Sequence, residues 1–168
     1  ELVAANVTQA QFREQYSDVF EGADAWKAVE VSGGDLYEWN GASTYIQEPP
    51  FFVDLAPQPS TITALRGARA LLLLGDSVPT DHISPAGAIA AESPAGEYLV
   101  GLGVPKTDFN SYGARRGNDR VMTRGTFANV RIKNLMLGGK EGGNTLYQPT
   151  GEEMSIFDAA ERYRDEGV

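Results

Sequence analysis

The longest unbroken apolar run in this chain is Ala70 to Leu74, five residues closed by Gly75-Asp76. A bilayer-spanning helix takes roughly 20 such residues, and even a soluble helix needs more than one turn of them. The run therefore reads as a short strand buried on both faces, of the kind found inside parallel sheets. Around it the sequence is punctuated by 19 Gly and 9 Pro, so the fold has to be assembled from short elements joined by turns. A 42% hydrophobic share in 168 residues is enough for a packed core and excludes disorder as the main state.

The periodicities divide the chain near residue 60. Thr8 stands three residues before Gln11, and Phe12, Tyr16, Val19 and Phe20 follow at helical spacing, which predicts a capped amphipathic helix over 8–20. Trp26, Leu36, Trp39, Tyr45, Ile46, Phe51 and Phe52 then lie among Gly33-Gly34, Gly41 and Pro49-Pro50. Residues 1–60 thus read as an aromatic-rich arm. It is either a linker that wraps a partner domain or an extension packed on the chain's own core.

Residues 61–168 read as a structured domain. Ser93-Pro94 predicts the capped start of a helix over 95–102 that Gly103 ends. Val130 to Ile132 and Thr145 to Tyr147 predict strands, with Pro149-Thr150-Gly151 as a turn. Ser155 and Asp158 open a last helix with Ile156, Phe157, Ala160 and Tyr163 inward and Gly167 as its stop. A strand followed by a helix normally feeds a second parallel strand, so the expected class is α/β, with a β-α-β unit interrupted after its helix.

Fourteen Lys and Arg against 23 Asp and Glu give a net charge of −9, a poor starting point for neutralising phosphates. The 168 residues contain no Cys, and His82 is the sole histidine. Disulfides, thiolate nucleophiles, cysteine-held iron–sulfur clusters and any site of two histidines are excluded within this chain. The first residues carry no basic-then-apolar leader, and the expectation is a cytoplasmic protein with no membrane partner.

Three loops concentrate polar residues. Gly75 to Gly87 follows the predicted strand, where ligands sit in open sheets. Its Thr80, Asp81 and Ser84 either satisfy a turn or line a site. Adjacent Asp81 and His82 diverge in an extended loop, which argues against a nucleophilic triad. The other loops are Asn110 to Asp119 and Arg124 to Asn129. Arg115, Arg116, Arg120, Arg124 and Arg131 place five arginines in 17 residues, suited to carboxylate or phosphate forks. For most of them, ion pairing with the surplus carboxylates or a partner is the plainer reading. Gly138-Gly139-Lys140-Glu141-Gly142-Gly143 lacks the P-loop spacing and reads as a hairpin loop.

Gly75-Asp76-Ser77-Val78-Pro79-Thr80-Asp81-His82-Ile83-Ser84-Pro85-Ala86-Gly87, Asn110-Ser111-Tyr112-Gly113, Arg115-Arg116-Gly117-Asn118-Asp119 and Arg124-Gly125-Thr126-Phe127-Ala128-Asn129 closely resemble the aconitase family, in the branch of bacterial aconitase A and the iron-regulatory proteins. Phe157 to Tyr163, Ser43 to Ile46 and Pro49 to Phe52 extend the resemblance over about residues 12–167. It implies a swivelling three-layer β/β/α domain, incomplete here, with a parallel sheet, an antiparallel sheet and helices, preceded by an extended linker. In this family the domain closes over a 4Fe-4S cluster held by cysteines of other domains, and the reaction interconverts citrate and isocitrate through cis-aconitate in the tricarboxylic acid cycle.

By the same resemblance Arg124 grips a substrate carboxylate, while Thr80, Asp81 and Ser84 line the closed site and His82 is not a substrate contact. Pro79 stands where the family usually has Thr, and a downstream Gly-Ser-Ser-Arg stretch with the catalytic serine is absent. The resemblance therefore implies a chain with no catalytic residue of its own, a binding wall whose partners are the tricarboxylate substrates and the cluster-binding domains. Two alternatives stand beside it: an RNA-binding module of iron-regulatory type using the arginine-rich stretch, and the swivel domain of a 2-methylcitrate or homoaconitate dehydratase. Lacking every thiolate, the isolated chain treated with iron and sulfide is expected to gain no cluster absorbance and no activity on cis-aconitate. A stable brown, active product refutes the assignment.

Overall fold

The computed structural model describes residues 2–17, 19–30 and 33–168. It divides into two compact units, residues 1–38 and 39–168. The first carries α1 (Leu2–Asn6), α2 (Gln9–Tyr16) and α3 (Asp24–Lys27). α2 starts where the capping box predicts: Gln11 N donates to Thr8 Oγ1 at 3.3 Å and Thr8 N to Gln11 Oε1 at 2.8 Å. It stops at Tyr16 rather than Phe20, because the Ser17 hydroxyl takes the Glu14 carbonyl at 2.8 Å and competes with helical continuation. Phe12 and Tyr16 stack at 6.2 Å, and both are exposed.

In the second unit, α4 (Thr80–Ile83), α5 (Pro94–Gly101) and α6 (Asp119–Gly125) precede two hairpins and α7 (Ile156–Asp165). α5 begins at Ser93-Pro94 as expected, with Gly96 N donating to Ser93 Oγ at 3.1 Å. α5 and α6 meet over the core of Ile89, Ala95, Leu99, Phe109, Tyr112 and Val121. The hairpins are β1 (Lys133–Asn134) with β2 (Lys140–Glu141) and β3 (Asn144–Tyr147) with β4 (Glu152–Ser155). The second runs in register from Asn144 opposite Ser155 to Tyr147 opposite Glu152. Ser155 caps α7, which buries Ile156, Ala159 and Tyr163, the last packed 4.8 Å from the Tyr147 ring. Phe157 and Ala160 are only half-buried.

Several expectations need correction. Ala70 to Leu74 is no strand: it forms one isolated bridge, Leu74 to Asn134, and Leu73 is 55% exposed. Val130 to Ile132 is irregular, and pairing begins only at Lys133. Residues 80–83 form a helical turn rather than an extended loop. α6 runs through the second and third polar loops, started by the fully buried Asn118, whose Oδ1 accepts from Arg120 N and Val121 N at 3.1 and 3.4 Å. Among the described residues both sheets are antiparallel; helices mixed with small sheets agree with the α/β class.

Arg115 is 1% exposed and among the described residues pairs with no carboxylate. Its Nε donates to Phe109 O at 2.7 Å and Nη2 to Asp108 O at 2.8 Å. Nη1 donates to Thr44 O and Thr44 Oγ1 at 2.7 and 2.8 Å. The guanidinium also lies 3.9 Å from the Tyr45 ring centroid. Segment 44–47 is thereby tied to loop 108–118, with Gln47 N donating to Gly117 O at 2.9 Å. A side chain at Gly117 would meet Tyr45 O at 3.2 Å, so the close approach favours glycine.

Arg115→Lys leaves several of these acceptors unpaired and is expected to cost about 2 to 3 kcal/mol in denaturant unfolding. The Gln47 amide should lose its hydrogen-exchange protection ahead of the α5 and α6 core. Unchanged protection at Gln47 contradicts the clamp.

Candidate functional site

α4 is a single turn, closed by Ser84 N donating to Thr80 O at 2.8 Å. It is clipped to the segment after α6: Phe127 N donates to Ile83 O at 2.9 Å and Asn129 Nδ2 to Asp81 O at 3.2 Å. Residues 86–88 pair with 111–113 through Tyr112 N to Gly87 O at 3.0 Å and the Ala88 to Ser111 bridge. These ties enclose a cleft of about 280 Å³ whose walls include Asp81, His82, Ser84, Tyr112, Gly125 and Asn129. Gly125 is required here, since a Cβ would fall 2.5 Å from the Tyr112 ring and 2.9 Å from Pro85 Cγ.

Asp81 and Ser84 thus share one wall, and both are exposed. His82, set aside from the sequence, joins them; its Nδ1 is buried and lacks a hydrogen-bond partner, an unusual state for a buried polar atom. Burial pushes the Tyr112 phenol above its ordinary pKa, partly offset by a hydrogen bond with the Ser93 side chain. A carboxylate, an imidazole, a hydroxyl and an amide suit a hydroxylated ligand, but no Lys or Arg lines this cleft. It cannot hold a polyanion without a cation from beside it.

Arg124 faces a neighbouring cleft of about 520 Å³, whose walls include Leu71, Arg120, Phe157, Glu161 and Arg164. Its guanidinium lies 4.2 Å from the Tyr98 ring centroid and 4.8 Å from that of Phe157, and Nη1 donates to Arg120 O at 2.7 Å. The two clefts adjoin through the Arg124-Gly125 peptide, because Gly125 lines the first. Thr80 is exposed and lines neither; its carbonyl serves α4.

Among the described residues none of the five clustered arginines forms an ion pair, so pairing with the chain's own carboxylates finds no example there, and pairing with a partner is left as an expectation. Arg115 serves the backbone instead, and Arg116, Arg120 and Arg131 line three separate clefts. Tyr98, Asn129 and Phe157 were missed by the sequence reading as site neighbours. Asn129 could have been found at the end of the Arg124 motif; nothing local marks Tyr98, 26 positions before Arg124.

Residues 95–168 match the aconitase C-terminal domain family. The chain is 58% identical to aconitate hydratase A of Pseudomonas aeruginosa over 162 residues, 96% of this chain. It is 54% identical to that of Thermus thermophilus over all 168 residues, and 53% identical to that of Escherichia coli over 160, or 95%. The chain spans 18% of the length of each of these relatives. Residues 95–168 thus belong to the aconitase C-terminal domain family, and the chain as a whole is similar to one stretch of aconitate hydratase A.

Proposed function

We propose that this segment supplies one wall of an aconitase active site, in a protein that interconverts citrate and isocitrate through cis-aconitate in the cytoplasm. In this reading Arg124 grips a substrate carboxylate, and Asp81 and Ser84 line the site on the hydroxyl-bearing side, while Thr80, which lines neither cleft, supports that wall through the carbonyl that closes α4. The division into an arm over 1–60 and a swivel domain over 61–168, with three layers completed by the remaining chain, is part of the same proposal. The observation that carries it is 54% identity to an aconitate hydratase A across every residue of the chain, the two polar clefts included.

The geometry supports the division of labour. A tricarboxylate needs fixed cations for its charges and neutral or acidic partners for its hydroxyl. Arg124 offers the first and the wall of Asp81 and Ser84 the second, in adjoining clefts. Both clefts are open to solvent as described here, so a second domain closing on them would expel water and strengthen each charged contact.

The 4Fe-4S cluster of the family does not fit these residues. The chain has no thiolate, and among the described residues no three His, Asp or Glu side chains are grouped to hold a metal. In the proposal the cluster belongs to other domains of the same polypeptide. The RNA-binding alternative is weakened by the net charge of −9 and by the burial of Arg115, which leaves fewer of the clustered arginines for phosphates. Among the described residues no helix is long and apolar enough to cross a membrane.

The test is a chimaera in which this chain replaces the matching stretch of the Escherichia coli enzyme. It is expected to act on cis-aconitate. Arg124→Lys in that chimaera should lose about 2 to 4 kcal/mol of transition-state stabilisation, roughly 30- to 900-fold in kcat/KM, with stability changed by about 1 kcal/mol. Near-normal kcat/KM in Arg124→Lys overturns the role of that arginine. A folded, cluster-bearing chimaera with no turnover overturns the assignment.

A further inference from the structure

An arginine that must seize an anion faces a conflict. Left free, its long side chain samples many rotamers, and binding has to freeze them. Pinned by a carboxylate, it is ordered but already neutralised, with its best donors spent. The way out is to hold the guanidinium by its faces, since π contacts use the plane of the group and leave the N–H groups on its edge.

Arg124 has two aromatic rings within reach of its guanidinium. Its guanidinium carbon lies 4.2 Å from the Tyr98 centroid and 4.8 Å from the Phe157 centroid. Of its five N–H donors, a single one is engaged, Nη1 with Arg120 O at 2.7 Å. Among the described residues no carboxylate pairs with it. The two rings come from α5 and α7, each of which packs against α6. Both rings are half-buried, so each has a fixed seat and a face left for the cation.

We propose that Tyr98 and Phe157 are positioning residues that hold the Arg124 guanidinium with its carboxylate-binding edge unspent. The proposal rests on the reading of Arg124 as the carboxylate-gripping arginine. It assigns the rings no contact with substrate: they act through Arg124 alone, and their value is ordering without neutralisation. Neither ring is replaceable by an aliphatic residue of similar bulk, because packing alone supplies no quadrupole for the cation.

The experiment is a double-mutant cycle in the same active chimaera. Tyr98→Leu and Phe157→Leu should each lower kcat/KM about three- to thirtyfold, chiefly through a higher KM, and Tyr98→Phe should restore most of what Tyr98→Leu loses. In an Arg124→Ala background the same leucine substitutions should cost less than twofold, since the group they position is gone. Should Tyr98→Leu fail to fold, the cycle is run with Phe157→Leu, and Tyr98→Phe still tests whether the ring or its hydroxyl matters. Leucine substitutions that cost the same with and without Arg124 overturn the positioning role while leaving the arginine's own role intact. A kinetically silent Arg124→Ala overturns the underlying reading and the proposal with it.

Discussion

A guanidinium sealed from water, with no counter-ion among the described residues, is the constraint on which the 39–168 unit depends. Arg115 is 1% exposed, and an isolated charge in that position would be costly unless its hydrogen-bonding capacity were met. It is met by oxygens of three residues, Thr44, Asp108 and Phe109, each within 2.8 Å. Neutral carbonyls solvate the cation without competing charges, so the contact resembles ion hydration more than a salt bridge. The consequence is topological: residues 64 or more positions apart in sequence must converge on one side chain. Asn118 adds a second tie to the same Thr44 carbonyl at 3.0 Å, and its Oδ1 starts α6.

That start sets where α6 delivers its functional end. A seven-residue helix has too little propensity to stand alone, so its direction is fixed by the Asn118 cap, by Val121 in the core and by the exit after Gly125. At that exit Phe127 takes φ 60°, and its amide is held by Ile83 O at 2.9 Å. Such a conformation in an aromatic residue is costly and persists only where the surroundings insist on it. Here they do, because this turn separates the Arg124 cleft from the cleft of Asp81 and Ser84 while keeping them one peptide apart.

What was legible in the sequence follows from the range of the forces involved. Caps act over three residues, and Thr8, Ser93 and Ser155 each began a helix at the expected residue. The β3 strand and its turn were equally local, set by Thr145 to Tyr147 and Gly151. α6 was hidden because Gly117, Asn118 and Asp119 look like turn residues, and only the burial of Asn118 makes them a cap. The arginine cluster misled for the same reason. Charge counting pairs arginines with carboxylates, whereas burial turned Arg115 toward carbonyls and the two helices packed against α6 offered Arg124 two rings. Asp81 and Ser84 do share a cleft, but Arg124 belongs to the next one, a distinction that depends on side-chain direction and is invisible in a motif.

The Ala70 to Leu74 run shows the limit most clearly. Its apolar content predicted a strand fixed by a backbone ladder, yet beyond one bridge at Leu74 and the bond from Leu135 N to Leu73 O at 2.8 Å the segment is held by side chains. Leu73 N donates to Asn134 Oδ1 at 3.1 Å, Thr145 Oγ1 donates to Leu71 O at 2.5 Å, and Gln148 Nε2 donates to Ala70 O at 2.8 Å. A ladder needs a neighbour of matching length; single side chains do not. Asn134 can serve this run because it is fully buried and shared, its Nδ2 donating to Thr145 Oγ1 at 2.9 Å and to Asn144 O at 3.2 Å. With its backbone satisfied from one side, the run presents half-buried leucines, and Leu71 becomes part of the Arg124 cleft wall rather than of a core. Apolar content alone therefore does not decide the segment's structure: the side-chain hydrogen bonds that hold it come from polar residues more than 60 positions away.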